Sequence, residues 1–197
     1  MQFIEYKTRN LKGAYLYAPE DITRPMPLVV WLTGGNDGAQ MPLKFSLGKL
    51  LDTGELKPEC AVLMPAASYG HNYTTMTIGE VSTLIGLADS MCDNIDIDNI
   101  SLCGWSLGAD AAAILTEGCS DNVFDRVCLI SNYPKAWKGT KPEIPYRILV
   151  GAKEKSAERD WGDYPVERVP GYGHEIGEKI WLDGSIDLLG WLTKKED

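Results

Sequence analysis

The segment Gly104-Trp105-Ser106-Leu107-Gly108 constrains the fold more than any other part of this chain. It follows residues 99–103, a short and largely apolar run that is typical of a buried parallel strand. After it, apolar side chains recur with the spacing of one helix face, at Leu107, Ala111, Ile114 and Leu115. The central serine is therefore expected on a sharp turn between a strand and a helix, where the two glycines permit close backbone approach.

This arrangement fits the G-x-S-x-G pattern, in which a nucleophilic serine is exposed at such a turn. The helix that follows would direct its free N–H groups and the positive end of its dipole toward an oxyanion formed at Ser106. The alternative is a chance match in a chain that contains 20 glycines. The flanking strand and helix patterns favour the catalytic interpretation.

Short apolar runs alternate with amphipathic helical patterns along the rest of the chain. The expected strands cover residues 2–8, 14–18, 28–32, 61–64, 99–103, 126–130, 146–150 and about 165–169, and the expected helices cover 41–52, 81–95, the segment after Ser106 and the chain from about 184. This alternation predicts a three-layer α/β fold with a mostly parallel sheet, begun by an antiparallel N-terminal hairpin that turns at residues 10–13. We expect one domain over residues 1–197 without a cap domain, because no segment between strands is long enough to form one.

Composition excludes several classes of partner. Hydrophobic residues make up 44% of the 197 residues and charged residues 24%, as in ordinary globular domains. The net charge of −9 argues against nucleic acid and against anionic membrane surfaces. No secretory signal pattern is visible, and the five cysteines lack zinc-site spacing, so we expect a reduced, cytoplasmic protein.

A base for the serine must come from one of only two histidines, His71 and His174. His174 lies in a glycine-rich loop after the last expected strand, where the chain order Ser, acid, His would place the base. The alternative for His174 is an ordinary solvated loop residue. His71 precedes the serine, so it is expected to line a substrate cleft with Tyr69 and Tyr73.

The acid must lie between Ser106 and His174, and the turn after strand 146–150 offers several carboxylates. Glu154 leaves the strand end at the right place and is the first candidate, with Asp160 as the second. Trp105 could form a wall of the cleft or pack in the core. Ligands bind at the carboxyl ends of strands in such sheets, where the Gly34-Gly35 turn is also expected.

These motifs resemble the α/β-hydrolase superfamily, and most closely its small lidless serine esterases of the esterase D and feruloyl-esterase kind. The resemblance extends over nearly the whole chain. It depends on the Gly104–Gly108 turn, on Leu32-Thr33-Gly34-Gly35 as an oxyanion turn, on Gly151-Ala152-Lys153-Glu154 as an acid turn and on Pro170-Gly171-Tyr172-Gly173-His174 as a base loop. Three departures are a threonine at 33 in place of the usual histidine, Glu for Asp at 154, and a short segment from 154 to 174.

The resemblance implies that Ser106 is the nucleophile, His174 the base and Glu154 the acid. It implies an oxyanion hole formed by the backbone N–H groups of Gly35 and Leu107, and no cofactor or metal. The expected activity is cleavage of a small-molecule carboxylic ester through an acyl-enzyme. Alternatives are thioesterase, acyltransferase or peptidase activity on the same machinery, or a catalytically inactive binding protein; the oligomeric state stays open.

Overall fold

The computed structural model describes residues 1–35, 41–68, 73–117, 123–132, 137 and 141–194. Within these ranges the strands are β1 (Gln2–Glu5), β2 (Leu11–Tyr17), β3 (Met26–Leu32), β4 (Ala61–Ala67), β5 (Ile95–Trp105), β6 (Arg126–Ile130), β7 (Tyr146–Gly151) and β8 (Val166–Val169). The α-helices are α1 (Met41–Lys44), α2 (Ser46–Thr53), α3 (Ile78–Met91), α4 (Leu107–Thr116), α5 (Ile176–Lys179) and α6 (Leu188–Thr193). Short 3₁₀ turns cover Tyr73–Thr75, Lys155–Glu158 and Ile180–Leu182.

The eight strands form one sheet in the order β1-β2-β4-β3-β5-β6-β7-β8. The β1–β2 and β2–β4 pairs are antiparallel, and the pairs from β4 to β8 are parallel. The predicted α/β class and the antiparallel N-terminal hairpin are therefore confirmed. Strand β5 lies in the middle of the parallel part, which explains its continuous apolar run.

Helices cover both faces of the sheet and divide the core in two. One part packs α3 and α4 against the sheet, with buried side chains that include Val81, Leu84 and Leu115. The other part packs α2, α5 and α6 against the opposite face, with Leu47 and Leu192 among its buried residues. No helix in the described ranges is both long enough and apolar enough to cross a membrane.

Three local predictions are wrong. The hairpin turn lies before Leu11, where β2 already begins, and not at residues 10–13. Pro65 does not end its strand: beyond Leu63, β4 pairs with β2 alone in the described residues, and an unpaired side tolerates a missing N–H. The C-terminal helix, expected from about residue 184, begins only at Leu188, because residues 183–187 form a turn held by Asp183.

Candidate active site

Ser106 occupies a strained turn between β5 and α4. Its backbone has φ 55° and ψ −119°, a left-handed conformation that non-glycine residues rarely adopt. The Ser106 N–H donates to the Ile130 carbonyl over 2.9 Å, which fixes the turn to the end of β6. The predicted position of this serine at the carboxyl edge of the sheet therefore matches its geometry.

Glycines make this turn sterically possible. A Cβ on Gly104 would lie 2.2 Å from the Gly108 carbonyl oxygen, and one on Gly108 would lie 2.0 Å from the Leu32 carbonyl oxygen. Gly34, which follows β3, lies beside the serine itself: a Cβ on Gly34 would lie 3.1 Å from Ser106 Cβ. The chain can therefore bring β3, β5 and α4 together only because these positions lack side chains.

His174 lies between Ser106 and Glu154. Ser106 Oγ is 3.1 Å from His174 Nε2, and His174 Nδ1 is 3.1 Å from Glu154 Oε2. The Glu154 side chain is 9% exposed, whereas that of His174 is 56% exposed. The structure thus brings together the three side chains whose sequence positions suggested nucleophile, base and acid. Asp160 is exposed and accepts a hydrogen bond from the Gly162 N–H instead.

Glu154 is held by three donors besides the histidine. One carboxylate oxygen accepts from Ser131 Oγ and from the Gly151 N–H, and the other accepts from Ser156 Oγ. Burial by itself would raise the pKa of this carboxyl. The hydrogen bonds, chiefly those from Ser131 and His174, outweigh burial and hold its pKa below the ordinary value, so the group is ionised near neutral pH.

Sequence reasoning missed the two serines that hold Glu154. Ser131 directly follows β6, so its place at the carboxyl edge could have been read from the same rule that located Ser106. Its backbone φ of 52° turns the chain sharply at that point. Ser156 lies in a 3₁₀ turn that follows the acid, and no sequence pattern indicated this turn.

The acid turn and the base loop are in direct backbone contact. The Lys153 N–H donates to the Tyr172 carbonyl, and the Ala152 N–H donates to the Val169 carbonyl, both over 2.9 Å. A Cβ on Gly151 would lie 2.3 Å from the Gly173 carbonyl oxygen. The short segment from 154 to 174 contains a 3₁₀ turn and β8, and the parallel pairing of β8 with β7 places the two loops side by side.

Two cavities meet at Ser106 and His174. One, of about 310 Å³, is also lined by Gly34, Gly35, Phe45, Trp105, Leu107 and Glu178. The other, of about 430 Å³, is also lined by Ser131, Asn132, Lys153, Glu154, Lys155, Ser156 and Arg159. The serine and histidine thus lie where two differently lined spaces join, which suits a reactive bond with a different group on each side.

The remaining predicted residues have separate outcomes. Trp105 lines the first cavity and is only 9% exposed, so it forms part of the cavity wall and also packs in the core. Tyr73 is buried and donates to the Pro65 carbonyl, so it packs in the core and does not form a cleft wall. Tyr69 and His71 lie outside the described residues.

Other features of the described residues do not add to this site. A third cavity, of about 350 Å³, lies at the amino ends of the parallel strands, among residues that include Met26, Met91 and Cys92. No group of three or more His, Cys, Asp or Glu side chains in the described ranges is arranged to hold a metal ion.

The strand order, the hairpin and the serine between β5 and α4 define the α/β-hydrolase fold, as predicted. Solved structures that resemble it include an acetyl xylan esterase from Aspergillus awamori and a thermostable esterase. Both are structures of esterases, which agrees with the resemblance seen in the motifs.

The likeness to these two structures is one of fold. The acetyl xylan esterase aligns with a TM-score of 0.56 and 14% identity, over 79% of this chain and 73% of that one. The thermostable esterase aligns with a TM-score of 0.58 and 16% identity, over 96% of this chain and 62% of that one. No protein-family model and no curated protein matches the chain.

Proposed function

We propose that this protein is a serine hydrolase that cleaves a carboxylic ester through an acyl-enzyme intermediate. The observation that carries the proposal is the continuous series of contacts from Ser106 through His174 to Glu154, with 3.1 Å at each step. A serine hydroxyl is a weak nucleophile until a positioned base takes its proton, and the base in turn needs a fixed orientation. These contacts supply both requirements.

In the proposed reaction Ser106 Oγ attacks the ester carbonyl while His174 Nε2 accepts the hydroxyl proton. Glu154 accepts the Nδ1 proton in a hydrogen bond, selects that tautomer and stabilises the imidazolium. The imidazolium then gives its proton to the leaving alkoxide, and the alcohol departs from the acyl-enzyme. Water, deprotonated by the same histidine, attacks the acyl group; as the acyl–serine bond breaks, the imidazolium returns its proton to Ser106 Oγ and the carboxylic acid leaves.

The backbone N–H groups of Gly35 and Leu107 are the proposed oxyanion hole. Both residues line the same cavity as Ser106, and Leu107 begins α4, so its N–H lies at the positive end of the helix. Gly35 has φ 87°, which proline cannot adopt, so Gly35→Pro would distort the turn as well as remove the donor. Replacing the Gly35 amide by an ester, with glycolic acid, removes the N–H alone and should lower kcat about a hundredfold or more.

An active-site-directed fluorophosphonate tests the proposal directly. The probe should label Ser106 of the wild-type protein, and both Ser106→Ala and His174→Ala should abolish labelling. Ser101→Ala is a matched control, because Ser101 is a buried serine of β5 that bonds the Leu192 carbonyl and lies outside the site. A folded wild-type protein that neither reacts with the probe nor hydrolyses p-nitrophenyl acetate would overturn the proposal.

A non-catalytic binding protein on the hydrolase fold is the competing function. It predicts that serine and histidine need not be within reach of each other, and the 3.1 Å separation of Ser106 Oγ and His174 Nε2 favours the enzyme. Thioesterase, acyltransferase and peptidase activities use the same groups. Comparison of kcat/KM for ester, thioester and amide substrates with the same acyl group distinguishes esterase, thioesterase and peptidase activity, and an added alcohol or thiol acceptor that competes with water reveals acyl transfer.

A further inference from the structure

The larger cavity beside Ser106 is lined by three positively charged side chains. Lys153 and Lys155 flank the acid in the chain, and Arg159 follows the 3₁₀ turn at 155–158. All three residues are exposed to solvent and line the cavity. Glu154 is the sole carboxylate that lines this cavity within the described residues, and its oxygens already accept hydrogen bonds from four groups.

This positive cluster contrasts with the charge of the whole chain. The net charge is −9, so the protein as a whole repels anions. Apart from Ser106 and His174, the described residues that line the other cavity are apolar or glycine, with Glu178 as the single carboxylate residue among them. Of these two cavities, the larger therefore offers an anionic substituent of the substrate the more favourable surroundings.

The base of the cluster is fixed to the catalytic loops. The Lys153 N–H is bonded to the Tyr172 carbonyl, and the Arg159 N–H is bonded to the Ser156 carbonyl. Lys153 also lies close enough to Glu175 to interact with it electrostatically, and that glutamate is outside the cavity lining. The backbone that carries Lys153 and Arg159 is thus fixed beside a space that begins at the proposed nucleophile.

We propose that the substrate is an ester with an anionic group, such as a carboxylate, near the scissile bond, and that Lys153, Lys155 and Arg159 bind this group. This inference rests on the proposed function and deepens it, because it assigns a substrate class to the same site. The uncharged portion of the substrate would lie in the cavity formed by Phe45, Trp105 and the Gly34-Gly35 turn.

Two pairs of esters test the proposal with charge on either side of the scissile bond. Mono-p-nitrophenyl glutarate and p-nitrophenyl valerate differ by a carboxylate on the acyl group. The anion of 4-acetoxybenzoic acid and its methyl ester differ by a carboxylate on the alcohol group. At low ionic strength we expect kcat/KM to be about tenfold higher for the anionic member of at least one pair, and salt should reduce this preference because it screens exposed charges.

Matched variants attribute the preference to the cluster. Lys153→Met, Lys155→Met and Arg159→Met, combined in one protein, should abolish the preference, so that the ratio of kcat/KM for the anionic ester to that for its neutral partner falls to about one. The control combines Lys12→Met, Lys49→Met and Lys57→Met, three exposed lysines that line neither cavity at Ser106, so the net charge changes equally. The control should keep the wild-type preference.

The outcomes separate failure of this inference from failure of the proposed function. Hydrolysis of the neutral esters with no preference for an anion in either pair overturns the anionic substrate class and leaves the hydrolase intact. An equal loss of preference in the cluster and control variants overturns the assignment to these three residues, since net charge alone would explain it. Absence of turnover and of fluorophosphonate labelling overturns the hydrolase itself.

Discussion

The indole Nε1 of Trp105 donates a hydrogen bond to the backbone carbonyl of His174 over 3.0 Å. Trp105 immediately precedes Ser106, so this bond connects the nucleophile turn to the base loop. The two rings are also in contact, with centroids 5.6 Å apart. The indole packs flat against α5, where a Cβ on Gly177 would lie 2.2 Å from Trp105 Cγ. We therefore expect Trp105 to help fix the distance between the serine and the histidine.

Trp105→Phe tests this positioning role, because it removes the N–H and keeps an aromatic ring. A hydrogen bond of this kind contributes about 0.5–1.5 kcal/mol, so we expect kcat and the rate of fluorophosphonate labelling to fall about threefold to tenfold. Trp137→Phe is the control: it removes an indole bond to Thr116 Oγ1 on the opposite face of the sheet. It should lower stability and leave the labelling rate unchanged, and equal effects on labelling would contradict the role of Trp105.

The acid is tested by Glu154→Gln beside Asp160→Asn. The glutamine favours the wrong imidazole tautomer, so we expect kcat to fall by up to about 10⁴-fold with the fold intact. Asp160 is exposed and bonds only the Gly162 N–H among the contacts described, so its amide variant should keep nearly full activity in a p-nitrophenyl acetate assay. The reverse order of effects would transfer the role of acid to Asp160.

The strained backbone at Ser106 predicts a gain in stability when glycine replaces the serine. Residues in such conformations cost about 1–3 kcal/mol, and glycine adopts them freely. We therefore expect Ser106→Gly to be about 1 kcal/mol more stable than Ser106→Ala in urea unfolding, with both inactive. At Ser101, in an ordinary stretch of β5, the alanine variant should be the more stable of the pair. If the alanine variant is the more stable of the pair at Ser106 as well as at Ser101, then Ser106 stores no strain.

Two carboxyl groups near the site should influence acid stability in opposite directions. Hydrogen bonds hold the pKa of Glu154 below its ordinary value, so the unfolded chain binds more protons there and the folded protein loses stability as the pH falls through that pKa. Burial raises the pKa of Asp110, which accepts a bond from Asn132 Nδ2 over 3.0 Å. The folded protein binds more protons at Asp110 than the unfolded chain does. The stability that this group contributes therefore falls as the pH rises above the ordinary pKa of Asp.

Urea unfolding between pH 3 and pH 7 measures both effects. Glu154→Gln should flatten the rise in unfolding free energy with pH below the ordinary Glu pKa, by at most about 1.4 kcal/mol per pH unit for one group. Above the ordinary pKa of Asp, Asp110→Asn should steepen the rise in unfolding free energy with pH, because it removes a group whose contribution to stability falls with pH. Changes of the same sign in both variants would contradict the opposite pKa directions.

Much of the site was predictable from the sequence because its residues follow strands. Ser106, Glu154 and the Gly34-Gly35 turn each come directly after a buried apolar run, and parallel strands bring such positions to one edge of the sheet. His174 follows β8, which is short and partly exposed, so its place depended on chain order more than on pattern. The strand positions thus carried most of the information about which side chains meet.

What the sequence did not predict depends on contacts between distant segments. Ser131 donates to Glu154 across the ends of β6 and β7, and a lone serine carries no local signal for such a bond. A proline commonly ends a strand, yet beyond Leu63 β4 pairs with β2 alone in the part of the chain that the structure describes, so Pro65 leaves no donor missing between paired strands. The start of α6 at Leu188, later than expected, depends on the turn at Asp183, whose carboxylate accepts from the Ser185 N–H and the Tyr172 hydroxyl.

The backbone contacts between the acid turn and the base loop have a consequence for folding. Gly151 lies against Gly173, and Lys153 is bonded to Tyr172, so one short stretch of chain carries both the carboxylate and the imidazole in their mutual orientation. The nucleophile comes from a separate unit, the β5–α4 turn. In the folded protein, the meeting of the three side chains therefore depends on how this one stretch is placed against the β5–α4 turn.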